Sequence, residues 1–156
     1  MTTGKLTRPR GLYFEEFVVG ETVESVGRTV TEADIVNFAA LSGDWTTIHT
    51  DAEYAKGMMF GERIAHGALV LSIAIGLAVR SGVIEGTAIA FRELTWKYSG
   101  VVKIGDTVRV RLQIGEKKAM PRLGGGSVLM NAEVINQRDE TVQRGTWTML
   151  VKSKPA

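Results

Sequence analysis

The feature that most constrains this chain is one apolar run, residues 64–79, followed after Gly86 by four stretches that read as β structure. The run is broken by His66, Ser72 and two glycines, and it is shorter than the roughly 20 residues a bilayer span needs. It therefore reads as a buried core helix from about 66 to 80, with Arg80 set against the carbonyl end of the dipole. A helix apolar on every face needs cover on every face, and a curved sheet wrapped around it supplies that cover.

The four stretches are residues 87–98, 106–116, 127–137 and 141–152. In the second, Val108, Val110, Leu112 and Ile114 alternate with Thr107, Arg109, Arg111 and Gln113, the period-2 pattern of a half-buried strand. A short polar connection, 138–140, and a longer one, 117–126, join the last three, so all four are expected to form an antiparallel meander. Upstream, residues 1–10 read as a flexible lead, and 11–19 bring Leu12, Phe14 and Phe17 to pack on the domain. Residues 21–30 read as a strand. Thr31-Glu32-Ala33-Asp34 then resembles a capping box opening a helix over 32–41. Residues 42–49 have no apolar period and read as a loop, and Asp51 caps a short helical turn ending near Ala55.

This order predicts an α+β fold, a curved antiparallel sheet wrapped around a long central helix, in one domain over 11–156. The 156 residues can bury a core without disulfides or metals, and there is no cysteine to form a disulfide, a catalytic thiol or a thiolate zinc site. The net charge of +2 is spread along the chain, which argues against a nucleic-acid partner. Residues 1–10 lack the apolar core of a secretory signal, so the expectation is a cytoplasmic protein without a membrane partner.

The chemistry is concentrated in 41–55, where Asp44 and His49 stand five positions apart on irregular backbone and can turn toward one cavity. A carboxylate and an imidazole around one water can divide the proton transfers of a hydration. On spacing alone, a turn aspartate and a hydrogen-bonded structural histidine remain the simpler reading. The other histidine, His66, sits in Ala65-His66-Gly67 at the start of the apolar helix, where free N–H groups favour negative charge. Glycine there lets a ligand approach the backbone. His66 itself reads first as a satisfied cap histidine.

At this point the segment resembles the signature of the MaoC-like and (R)-specific enoyl-CoA hydratases, Ser/Thr-Gly-Asp-x-Asn-Pro-aliphatic-His. Ser42, Gly43, Asp44, Ile48 and His49 match, as does the small residue Ala55 that follows. The resemblance extends to Arg63-Ile64-Ala65-His66-Gly67 and to Tyr98-Ser99-Gly100-Val101-Val102. It implies a hotdog fold, an acyl-CoA (2-enoyl-CoA) substrate, no metal or other cofactor, and a homodimer with the sheets joined edge to edge. By position it makes Asp44 and His49 the water-activating pair and the Gly67 backbone N–H the donor to the thioester carbonyl, with Thr47, Ala65 and His66 as substrate contacts. Thr46 and Thr47 depart from the motif, standing where it has asparagine and proline. The loss of proline is expected to free the loop, and the loss of the amide to remove a polar contact.

Other features read as structural. The 124–126 glycines lack the helix and Lys-Ser/Thr pair of a phosphate loop and read as a hairpin connection. Arg109 and Arg111 read as a solvated strand face, Trp96 and Trp147 as packing, and Met58, Met59 and Phe60 as core or pocket lining. Two rivals to a hydratase are a thioesterase on the same fold and a non-catalytic acyl-CoA-binding or partner subunit. The thioesterase is disfavoured because 67–80 carries no Asp or Glu.

Overall fold

A computed structural model describes residues 11–155; the expected lead over 1–10 lies outside the described residues. Among them, strands β1 (Thr22–Glu24), β2 (Arg28–Thr29), β3 (Ala88–Tyr98), β4 (Thr107–Met120), β5 (Gly125–Asn136) and β6 (Thr141–Lys152) form one antiparallel sheet. Its order is β1-β4-β5-β6-β3, with β2 also paired to β4. Four α-helices, α1 (Glu32–Ser42), α2 (Thr47–Thr50), α3 (Ala52–Lys56) and α4 (Gly67–Arg80), and two 3-10 turns, Phe14–Glu16 and Pro121–Leu123, complete the described elements. This is the hotdog arrangement, α4 lying in the curve of the sheet.

The local signals act as expected where they are strong. Thr31 Oγ accepts the Asp34 N–H and Asp34 accepts the Thr31 N–H at 2.8 Å, closing the capping box that starts α1. Gly43, at φ 79, ends α1 in the left-handed conformation that glycine adopts without strain. Val108, Val110, Leu112 and Ile114 are buried on the inner face of β4, against Leu69, Val70, Ile73 and Leu77 of α4.

Three expectations are corrected by tertiary pairing. First, 87–152 is not a simple meander: β4, β5 and β6 are consecutive neighbours, but β3 pairs with β6 on the far edge. Residues 99–106 carry the chain back across the end of the sheet, too long a connection for a hairpin. Second, β4 and β5 run far into the expected 117–126 loop, because Ala119 pairs Gly126 and Met120 pairs Gly125. Only a 3-10 turn at Pro121–Leu123 and the left-handed Gly124 connect them. The space above Gly126 is filled by the Phe14 ring, the physical reason for glycine there. Third, the expected 21–30 strand is two short pieces, both on β4.

The sheet covers only one side of α4. Leu69, Val70, Ile73, Ala74, Leu77 and Ala78 are buried, whereas Ala68, Ser72 and Gly76 form an open stripe. The 11–19 segment packs as expected, with Phe17 buried and the Gly11 and Leu12 N–H groups donating to Glu85 and Val83. No helix among the described residues is long and apolar enough to cross a membrane.

Candidate active site

The returning 99–106 segment builds the site by closing over the start of α4. Gly100 N–H donates to Val142 O at 2.8 Å, and Ala65 N–H donates to Val102 O at 2.7 Å. Between this segment and α4 lies a cleft of about 300 Å³. Its walls include Ile64, Ala65, Val70 and Val102, and His49 and Gly67 stand in it. The His66 side chain makes no capping bond at the start of α4, and Gly67 and Ala68 of its first turn line the cleft.

His49 is on α2, a single helical turn inside the expected loop. Four residues are too few to show a helical period, and the turn is held by Thr50 Oγ donating to Trp45 O and Thr46 O. His49 Nδ1 lies 2.7 Å from Ile64 O. A carbonyl only accepts, so Nδ1 is the donor to it and Nε2 is the nitrogen left for other partners. By the same logic His66 Nε2–H donates to the Asp44 main-chain carbonyl at 2.9 Å. The His66 ring is buried, and its Nδ1 has no partner among the described residues. The two imidazoles stack with centroids 3.9 Å apart, and the Phe38 ring packs tilted against His66 at 5.0 Å.

Asp44 follows the left-handed Gly43 and is exposed. Its Oδ1 accepts Thr46 Oγ–H at 2.6 Å and Thr46 N–H at 3.2 Å. These bonds, foremost the hydroxyl, hold the Asp44 carboxyl below the usual aspartate range, with a smaller contribution from the neighbouring imidazoles. The loop that lost its proline is therefore tied down by hydroxyls and by His66.

Asp44, His49 and His66 thus come together, with a carboxylate oxygen and one nitrogen of each ring within 4.8 Å of one another. That residue set has the composition of a metal site, with one nitrogen of each ring engaged by a carbonyl and the other left over. What the cluster offers is a carboxylate and an imidazole side by side, suited to taking a proton from water.

Ala65 and Gly67 line the cleft; His66 does not, its ring contacting Asp44 and His49 instead. Thr47 is exposed in the first turn of α2. Among the wall residues not expected as site residues are Tyr98 and Gln143. A Cβ on Gly67 would lie 2.6 Å from Tyr98 Cε1, so the aromatic ring occupies the space the glycine leaves. Gln143, buried on β6, donates to Gly67 O at 3.1 Å and accepts Trp96 Nε1–H at 2.9 Å, holding the first turn of α4. The stretch that opens with Tyr98 belongs to the family resemblance, but no local signal marks the contact of either residue with Gly67, because both reach it through strand register.

The remaining candidates fall outside the site. Arg109 and Arg111 both pair with Glu24, at 2.6 and 3.0 Å, on the outer face of the sheet. Trp147 is buried and stacks on Trp96. Met58 and Met59 are exposed and line neither core nor cleft.

Fold and site together define a hotdog protein with a carboxylate–imidazole pair at the start of its central helix. A family model described as MaoC like domain matches residues 15–134, and the chain belongs to that family. It is 45% identical over 105 residues to protein MaoC of Klebsiella aerogenes, covering 67% of this chain and 31% of that one. It is 34% identical over 107 residues to 3-hydroxybutyryl-CoA dehydratase of Methylorubrum extorquens, covering 69% and 66%. The chain thus spans about a third of the first relative and about two thirds of the second. The solved monoamine oxidase regulatory protein of Archaeoglobus fulgidus superposes with a TM-score of 0.84 at 38% identity, covering 93% of this chain and 97% of that one.

Proposed function

We propose that this chain adds water to a 2-enoyl-CoA and, in reverse, dehydrates the 3-hydroxyacyl-CoA. The observation that carries the reading is the Asp44 carboxylate and His49 imidazole within 4.8 Å of one another, beside a cleft that ends on an uncapped helix start. Water oxygen attacks C3 of the enoyl group, and the double-bond electrons move through C2 onto the thioester oxygen. Asp44 and His49 take the proton from that water and return one to C2, so no proton is gained or lost. The Gly67 N–H, at the positive end of the α4 dipole, stabilises the charge on the carbonyl oxygen while it lasts. His66 supports both partners, by its bond to the Asp44 carbonyl and by stacking on His49.

The apolar walls at Ile64, Val70 and Val102, with no lysine or arginine in the lining among the described residues, suit an acyl group without a second carboxylate. The name of the Methylorubrum relative supports that substrate class. The assembly is a homodimer. Strand β3 is exposed along almost its whole length, with Ile89 and Leu94 more than two-fifths exposed, and a second copy paired there would continue the sheet.

Loss of the conjugated thioester absorbance of trans-2-enoyl-CoAs tests the activity. Asp44→Asn and His49→Ala should each lower kcat by about 10²–10⁴-fold while the protein stays folded. Release of free CoA thiol without hydration, or full activity in Asp44→Asn, would overturn the assignment.

A further inference from the structure

Where the related motif has asparagine this chain has Thr46, and its hydroxyl makes the shortest contact in the site, 2.6 Å to Asp44 Oδ1. The Thr46 N–H reaches the same oxygen at 3.2 Å. One carboxylate oxygen is therefore doubly occupied, and no hydrogen-bond donor reaches Oδ2 among the described residues. Resting on the hydratase reading, we propose that Thr46 is a positioning residue: its hydroxyl pins Asp44 Oδ1 so that Oδ2 is the oxygen presented to the reacting water.

The geometry supplies the reasons. Asp44 is exposed and follows a left-handed glycine, so its χ angles have little packing to restrain them. Its main-chain carbonyl is held by His66, which anchors the backbone and leaves the carboxylate free to rotate. Thr46 is the one side chain that donates to the carboxylate among the described residues, and its own backbone is fixed, since Thr46 O accepts from His49 N–H at 2.9 Å and from Thr50 Oγ. A charge-assisted hydroxyl bond also favours the ionised carboxylate over the acid, in line with the depressed Asp44 pKa. A threonine that merely shaped the turn would do so through its N–H, which any residue but proline supplies.

Thr46→Val keeps the shape and the N–H and removes only the hydroxyl; Thr46→Ser restores it. The expected result for Thr46→Val is a loss of about 10- to 100-fold in kcat with KM changed by less than about threefold. Activity needs Asp44 ionised, and the wild-type carboxyl titrates low, so the acid limb of the pH–rate profile should move to higher pH in Thr46→Val and return in Thr46→Ser. An acid limb that stays in place while kcat falls, or a Thr46→Ser protein no better than Thr46→Val, would overturn the proposal. Carbon-13 titration of the Asp44 carboxyl, identified by its loss in Asp44→Asn, reads the same contact without turnover. If no enoyl-CoA is hydrated but the Thr46→Val carboxyl titrates higher than wild type, the hydratase reading falls and the Thr46 contact stands. Coincident titration curves sink the contact alone.

Discussion

Gly67→Ala separates the stability of the first turn of α4 from its chemistry. The added Cβ would sit 2.6 Å from Tyr98 Cε1 and 2.8 Å from Cδ1. Relaxed carbon contacts lie at about 3.5–4.0 Å, so the ring must retreat by about 1 Å. Tyr98 is 60% exposed and can swing toward solvent instead of compressing the core. The strain should fall at the low end of the roughly 1–3 kcal/mol that overpacking costs. Alanine in a helix recovers about 0.5–1 kcal/mol relative to glycine. The two nearly cancel, and at about 2–4 °C per kcal/mol for a chain of this size Tm should move by no more than about 3 °C.

The effect on activity should be large. The Tyr98 ring forms part of the cleft wall beside the proposed carbonyl donor, and displacements of about 1 Å there cost on the order of 10²-fold in rate. The assay is kcat/KM on a short trans-2-enoyl-CoA beside thermal unfolding, for Gly67→Ala, Tyr98→Ala and the double variant. Deleting the ring removes the clash, so the double variant should be more stable than the sum of the single effects by about 0.5–1 kcal/mol. Undiminished kcat/KM in Gly67→Ala, or strictly additive stabilities, would refute the argument.

Two further predictions concern support and assembly. His66→Ala deletes a buried ring, its bond to the Asp44 carbonyl and its stack on His49, and should cost about 2–4 kcal/mol, read as a Tm drop of roughly 5–15 °C, with a parallel fall in kcat. An unchanged Tm would show the ring to be dispensable. Leu94→Glu puts a charge on the exposed β3 edge and should weaken self-association at least about tenfold by sedimentation, a single interfacial charge being worth well over 1 kcal/mol. A wild-type protein already monomeric at micromolar concentration would remove β3 as the dimer seam.

What the sequence alone determined is what depends on neighbours along the chain. The capping pair Thr31 and Asp34, the stop at Gly43, the apolar helix ending at Arg80 and the alternation in β4 all arise from contacts a few residues apart, and each is legible without coordinates. The Asp44–His49 spacing belongs with them, though alone it left a structural reading open. Only the tertiary structure decided the rest, because strand order and register are set by which surfaces bury each other. The pairing of β3 with β6 sends 99–106 back over the start of α4, and it brings Tyr98 and Gln143 to Gly67 from 31 and 76 positions away. The bond from His66 to the Asp44 carbonyl spans 22 positions. Such contacts leave no periodic trace in a sequence: a buried glutamine or a tyrosine at a strand end looks the same wherever the strand is placed.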